Sequence, residues 1–127
     1  MRSLLAVLLL LAASLTALAD PAPPVARTEI DALLAKLQAS ACEFNRNGSW
    51  YNADQAKSHL QMKLKYLEDR NLVQTTEQFI ERAATGSSMS GKPYLVRCMP
   101  SAPVESGVWL TTELKAVRAA GKPAAAR

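Results

Sequence analysis

Hydrophobic and polar residues follow three rhythms along this chain. Leu4 to Leu11 is an almost unbroken apolar run, Thr28 onward repeats apolar positions at helical spacing, and Pro93 to Cys98 alternates. Each rhythm predicts an element. Ile30, Leu33, Leu34, Leu37 and Ala41 fall on one helical face, and Thr28 with Asp31 has the spacing of a capping box. A first helix is therefore expected from Thr28 to about Ala41. Asn52 with Gln55 three residues on predicts the start of a second helix, whose stripe is Ala53, Ala56, Leu60, Leu64 and Leu67. A third, shorter helix opens at Thr75 or Thr76 and carries Phe79, Ile80, Ala83 and Ala84, with Gly86 placed to end it. Ser106 is expected to cap the last helix, which holds Trp109, Leu110, Leu114 and Val117.

The segments between are extended. Phe44, Trp50 and Tyr51 flank Asn47-Gly48, the dipeptide best suited to a tight hairpin because both positions accept positive φ. Pro93 to Cys98 is rich in β-formers, and Pro100 and Pro103 break it. If 42–46 and 94–98 run antiparallel with Cys42 opposite Cys98, then Phe44 faces Val96, Arg46 faces Tyr94 and Glu43 meets Arg97. Apolar meets apolar, cation meets ring and acid meets base in one register. Directly opposed cysteines also have the separation a disulfide needs.

The apolar run at the start changes the picture most. Arg2, the Leu-rich stretch and the small residues ending Ala17-Leu18-Ala19 have the order of a cleavable export signal. Cleavage is expected between Ala19 and Asp20, and the run is shorter than the roughly 20 residues a bilayer span needs. The expected organisation is a signal peptide at 1–19, a Pro-rich linker at 20–27, one globular domain at 28–118 and a loose tail at 119–127. A periplasmic location follows, with no membrane span after processing. In an oxidising compartment the only two cysteines, Cys42 and Cys98, are expected to pair. The formal charge of +4, one less once Arg2 leaves with the signal, is too small and interspersed to argue for nucleic acid. It is compatible with an anionic envelope component or an envelope protein as partner, and ordinary solubility explains it equally well, so the charge leaves the partner unknown. One histidine and no close Cys/His spacing leave no metal site, and no cofactor motif is present.

Two groups of residues could carry chemistry. His59, Lys63, Tyr66 and Arg70 recur along the second helix as a polar stripe beside the apolar one. Such a face can bind an anion or move protons, with His59 and Lys63 at its centre. The loop Gly86-Ser87-Ser88-Met89-Ser90-Gly91-Lys92 can turn hydroxyls and amides toward an anion. Ser88 or Ser90 with His59 as base is a third reading, as a small hydrolase. The nucleophile-elbow spacing is one position out, however, and the loop precedes a strand.

Ser90-Gly91-Lys92-Pro93-Tyr94 resembles the Ser-Gly-x-x-Tyr loop of periplasmic lysozyme inhibitors, which implies a serine and a tyrosine presented to an enzyme cleft. A wider resemblance rests on ordered motifs: Phe44-Asn45-Arg46-Asn47-Gly48, His59-Leu60-Gln61-Met62-Lys63, Phe79-Ile80-Glu81-Arg82-Ala83 and Ser87 through Tyr94, ending at Cys98. In these, from about Ile30 to Leu114, the chain resembles the YfeK-like family of small exported bacterial proteins with a domain of unknown function. The resemblance implies a bacterial, exported protein and brings no activity with it. The expected fold is α+β and mainly helical: about four helices, a small antiparallel strand pair or hairpin, and one disulfide. The expected role is a non-enzymatic binding module with Arg46, His59, Lys63, Ser88, Ser90 and Tyr94 on its recognition surface. Inhibition of an envelope hydrolase such as lysozyme is the alternative.

Overall fold

A computed structural model describes residues 21–121. The elements are α1 (Pro24–Ser40), β1 (Glu43–Arg46), β2 (Ser49–Tyr51), α2 (Ala53–Glu68), α3 (Thr76–Phe79, continuing as a π-turn over Ile80–Ala84), β3 (Leu95–Arg97), β4 (Val104–Glu105) and α4 (Ser106–Gly121). Over the described residues the fold is α+β: four helices and one small antiparallel sheet in the order β2-β1-β3-β4, with a Cys42–Cys98 disulfide. The segments read as an export signal and the last six residues lie outside the described residues.

Helix α1 begins at Pro24, not at Thr28, so residues 24–27 belong to the helix rather than to a linker. Proline at the first helical position loses nothing, because its missing N–H would have had no helical partner. Thr28 spends its hydroxyl on the Pro24 carbonyl at 2.9 Å and caps nothing. The segment ahead of the helix is also held. The Ala22 amide donates to Glu68 Oε2 at 2.8 Å, and Arg27 reaches the other carboxylate oxygen at 2.9 Å. Glu68, at the end of α2, is buried and would be costly there without these two donors. At the other terminus α4 runs through residues 119–121, so these belong to the helix and not to the expected loose tail.

Asn52 and Gln55 form a full capping box at α2: the Asn52 side chain accepts from the Gln55 amide at 2.8 Å, and Gln55 Oε1 accepts from the Asn52 amide at 3.0 Å. The stripe Ala56, Leu60, Leu64 and Leu67 is buried against Ile30, Leu33, Leu34 and Leu37 of α1. Leu110 and Leu114 of α4, Phe79 of α3, and Phe44 and Val96 of the sheet complete one core. Each fully buried side chain of this size contributes about 2 kcal/mol relative to exposure.

The hairpin turns at Asn47 (φ 51°) and Gly48 (φ 85°), both in the left-handed region. Strand β1 pairs β3 with Glu43 opposite Arg97 and Phe44 opposite Val96, the register expected from the cysteines. Glu43 and Arg97 form an ion pair at 2.9 Å. Two features differ from the sequence reading. A two-residue strand, β4, adds to the sheet edge between Pro103 and α4, where only a break was expected. Gly86 stands just past the helix end, as expected, but in place of a left-handed cap it bridges Pro93, and a Cβ there would meet the Lys92 carbonyl oxygen at 3.0 Å. Its role is close backbone approach.

Candidate functional site

The end of β1, one face of α2 and the residue ahead of β3 meet on Tyr94. Its backbone is fixed at both ends: the amide donates to the Thr85 carbonyl at 3.0 Å, and its carbonyl accepts from the Ser106 amide at 2.8 Å. The ring is only 2% exposed and packs on Phe44 with centroids 5.1 Å apart. The hydroxyl points to α2, where His59 and Lys63, one turn apart, reach it from the same face. Lys63 Nζ donates to the hydroxyl oxygen at 3.1 Å and to the Gly86 carbonyl at 3.2 Å. His59 Nε2 stands 3.2 Å from the same oxygen, its ring edge-on to the phenol.

Arg46 closes the chain of contacts. Its Nη1 lies 2.9 Å from His59 Nδ1. A guanidinium only donates, so Nδ1 must be the accepting nitrogen and Nε2 must carry the proton. The imidazole therefore donates to Tyr94, and the phenol oxygen accepts from both His59 and Lys63. Burial, then Arg46, then Lys63 push the His59 pKa down to about 4. The imidazole is neutral at neutral pH because its charged form would sit between two cations. Among the described residues neither Arg46 nor Lys63 forms an ion pair with a carboxylate. This is the electrostatic signature of the site: two half-buried positive charges held by neutral acceptors.

An open groove of about 410 Å³ runs along this side, walled by Arg46, Tyr51, Ser58, His59 and Met62. Asp54 also lines it, with Oδ1 accepting from Gln38 Nε2 at 2.8 Å. Arg46 does not lie on Tyr94, as the register had suggested. Its guanidinium sits 5.0 Å from the Tyr51 ring centroid, because Tyr51 is brought beside it across the hairpin. Lys63 is the cation over the Tyr94 ring, at 4.9 Å.

The serine loop is ordered by its own hydrogen bonds. Ser87, buried, accepts from the Met89 and Ser90 amides, and its backbone pairs with Lys92. Ser90 donates its hydroxyl to Asn47 Oδ1 at 2.7 Å and so ties the loop to the hairpin tip. Ser88 is exposed and meets neither His59 nor the cations. Both imidazole nitrogens are taken by Arg46 and Tyr94, which leaves none of the described serines in a nucleophile-and-base arrangement with His59. Tyr94 is buried, so the loop does not present a tyrosine as the inhibitor-like motif implied. Trp50, on the outer face of the sheet, stacks under Arg97 at 3.9 Å. Ser87 belongs to the serine loop singled out from the sequence, and Asn47 is expected there as a turn residue; the hairpin pairing is what brings Tyr51 beside Arg46.

No described helix is long and apolar enough to cross a membrane. No cluster of three or more potential metal ligands occurs among the described residues. The model of a family described as "Family of unknown function (DUF5329)" matches residues 24–118. The "Uncharacterized protein YfeK" of Salmonella typhimurium (strain LT2) is 46% identical over 66 residues, which cover 51% of this chain and 53% of that protein. The chain thus spans about half the length of the curated relative it matches. No solved structure matches.

Proposed function

Because the chain belongs to the DUF5329 family, whose function is unknown, we propose from its own geometry that it is an exported, non-enzymatic binding module for an anionic group on an envelope component. The ligand's phosphate or carboxylate takes the place beside Arg46 and Lys63 that no carboxylate of the described residues fills. That uncompensated pair is the observation supporting the reading. Neutral His59 and the Tyr94 hydroxyl stand between the two cations, and Arg46 and His59 also line the groove. The disulfide fits an oxidising compartment such as the periplasm. The order of residues 1–19 is that of an export signal.

Cosedimentation with isolated peptidoglycan sacculi and with phosphatidylglycerol vesicles tests the proposal. The wild-type protein should pellet with one of them at low salt, and R46Q/K63Q should lose at least most of that binding while keeping its circular dichroism. Equal pelleting by the double variant, or none by the wild type, rejects the reading.

A further inference from the structure

A second groove, of about 530 Å³, lies between the α3 π-turn and the start of α4. Its floor is Ile80, Gly107 and Val108, with Val108 58% exposed on α4. Gly107 lets α4 come close to the π-turn, since a Cβ there would stand 3.1 Å from Thr85 Oγ1. Val108 supplies an exposed apolar contact to this groove. The wall opposite is the π-turn, a distortion that concentrates at functional sites.

The rim gives the occupant's chemistry. Glu81 and Glu105 stand on it, from the π-turn and from β4. Neither carboxylate has an ion-pair or side-chain hydrogen-bond partner among the described residues, whereas the carboxylate of Glu77, on the same rim, is held by Arg118. Lys115 is the one cation lining the groove. β4 is also the outer strand of the sheet, so its far edge has no strand beside it among the described residues. An apolar floor, two unpaired carboxylates and a free strand edge fit an extended basic segment. We propose that this groove docks such a segment of a partner protein, with an apolar side chain on Val108 and Ile80 and a lysine or arginine toward each of Glu81 and Glu105. The charge is opposite to that of the Arg46–Lys63 site, so the two surfaces select different partners.

The test is titration of the purified, ¹⁵N-labelled protein with a synthetic peptide of alternating lysine and leucine, and with its glutamate–leucine counterpart. The lysine peptide should shift amide resonances of Ile80, Thr85, Val108 and Thr111 saturably, and the glutamate peptide should not. E81K/E105K, which changes only exposed side chains, should weaken binding by about tenfold, as expected for two exposed charge pairs turned repulsive. V108S should weaken it independently. No shift at these residues, equal shifts with the acidic peptide, or unchanged affinity in E81K/E105K would overturn the proposal. So would sedimentation showing that this face already joins two copies of the chain.

Discussion

Arg46 Nη1 and His59 Nδ1 stand 2.9 Å apart, and that contact determines which nitrogen of the imidazole carries its proton. The consequence passes to Tyr94, which then accepts from His59 and Lys63 alike. A neutral histidine between two cations is thus part of the architecture.

His59 makes stability depend on acid. Its folded pKa of about 4 lies below the ordinary 6.5, so the unfolded chain binds the proton more readily than the native one. The contribution is fully present above about pH 6.5 and is lost as pH falls toward 4. Because the ring is only partly buried, its worth after solvent screening is about 1 kcal/mol. Urea unfolding across this window should show stability falling in the wild type, with the slope reduced in H59Q. An identical slope in H59Q would assign the acid sensitivity to other groups.

The disulfide should matter more than any single core residue. Cys42 and Cys98 are 56 residues apart in sequence, a separation worth about 4 kcal/mol in the chain-entropy account. C42A/C98A, or the reduced protein, should lose that amount in chemical denaturation. A loss below about 1 kcal/mol would mean that the sheet register is held without the crosslink.

Gly86 leaves little room for a side chain. A Cβ would stand 3.0 Å from the Lys92 carbonyl oxygen, so the backbone of that loop would have to shift by a few tenths of an ångström. G86A is expected to destabilise by about 1–3 kcal/mol, as overpacking does. It should also disturb the Tyr94 ring signals, because Lys63 bridges the Gly86 carbonyl to the Tyr94 hydroxyl. A wild-type melting temperature for G86A would show that the loop relaxes freely.

Periodicity made the helices and the core legible. Leu60, Leu64 and Leu67 announce α2, and Asn52 with Gln55 announces its cap. The cysteine-anchored register also reached the sheet, since Glu43–Arg97 and Phe44–Val96 were readable from charge and size alone. Pairing across a sheet does not say where a long side chain ends, however. Arg46 turned to Tyr51 and His59 instead of Tyr94 because the hairpin supplies a nearer ring and α2 a nearer acceptor. Helix starts were hidden where proline looked like linker: Pro24 opens α1, and Ala22 is anchored by a glutamate 46 positions away. β4 was invisible because two residues have no period. The Tyr94 site was half legible. His59 and Lys63 stand out at helical spacing, but the burial of the tyrosine between them is a tertiary fact.

The most direct test of the central claim is a phosphate titration at low ionic strength, followed on the His59 imidazole nitrogens and the Lys63 and Arg46 side-chain signals. Saturable shifts at all three, absent in R46Q/K63Q, are the outcome the uncompensated cation pair requires. Signals that stay still in the wild type, or move equally in the double variant, would contradict it.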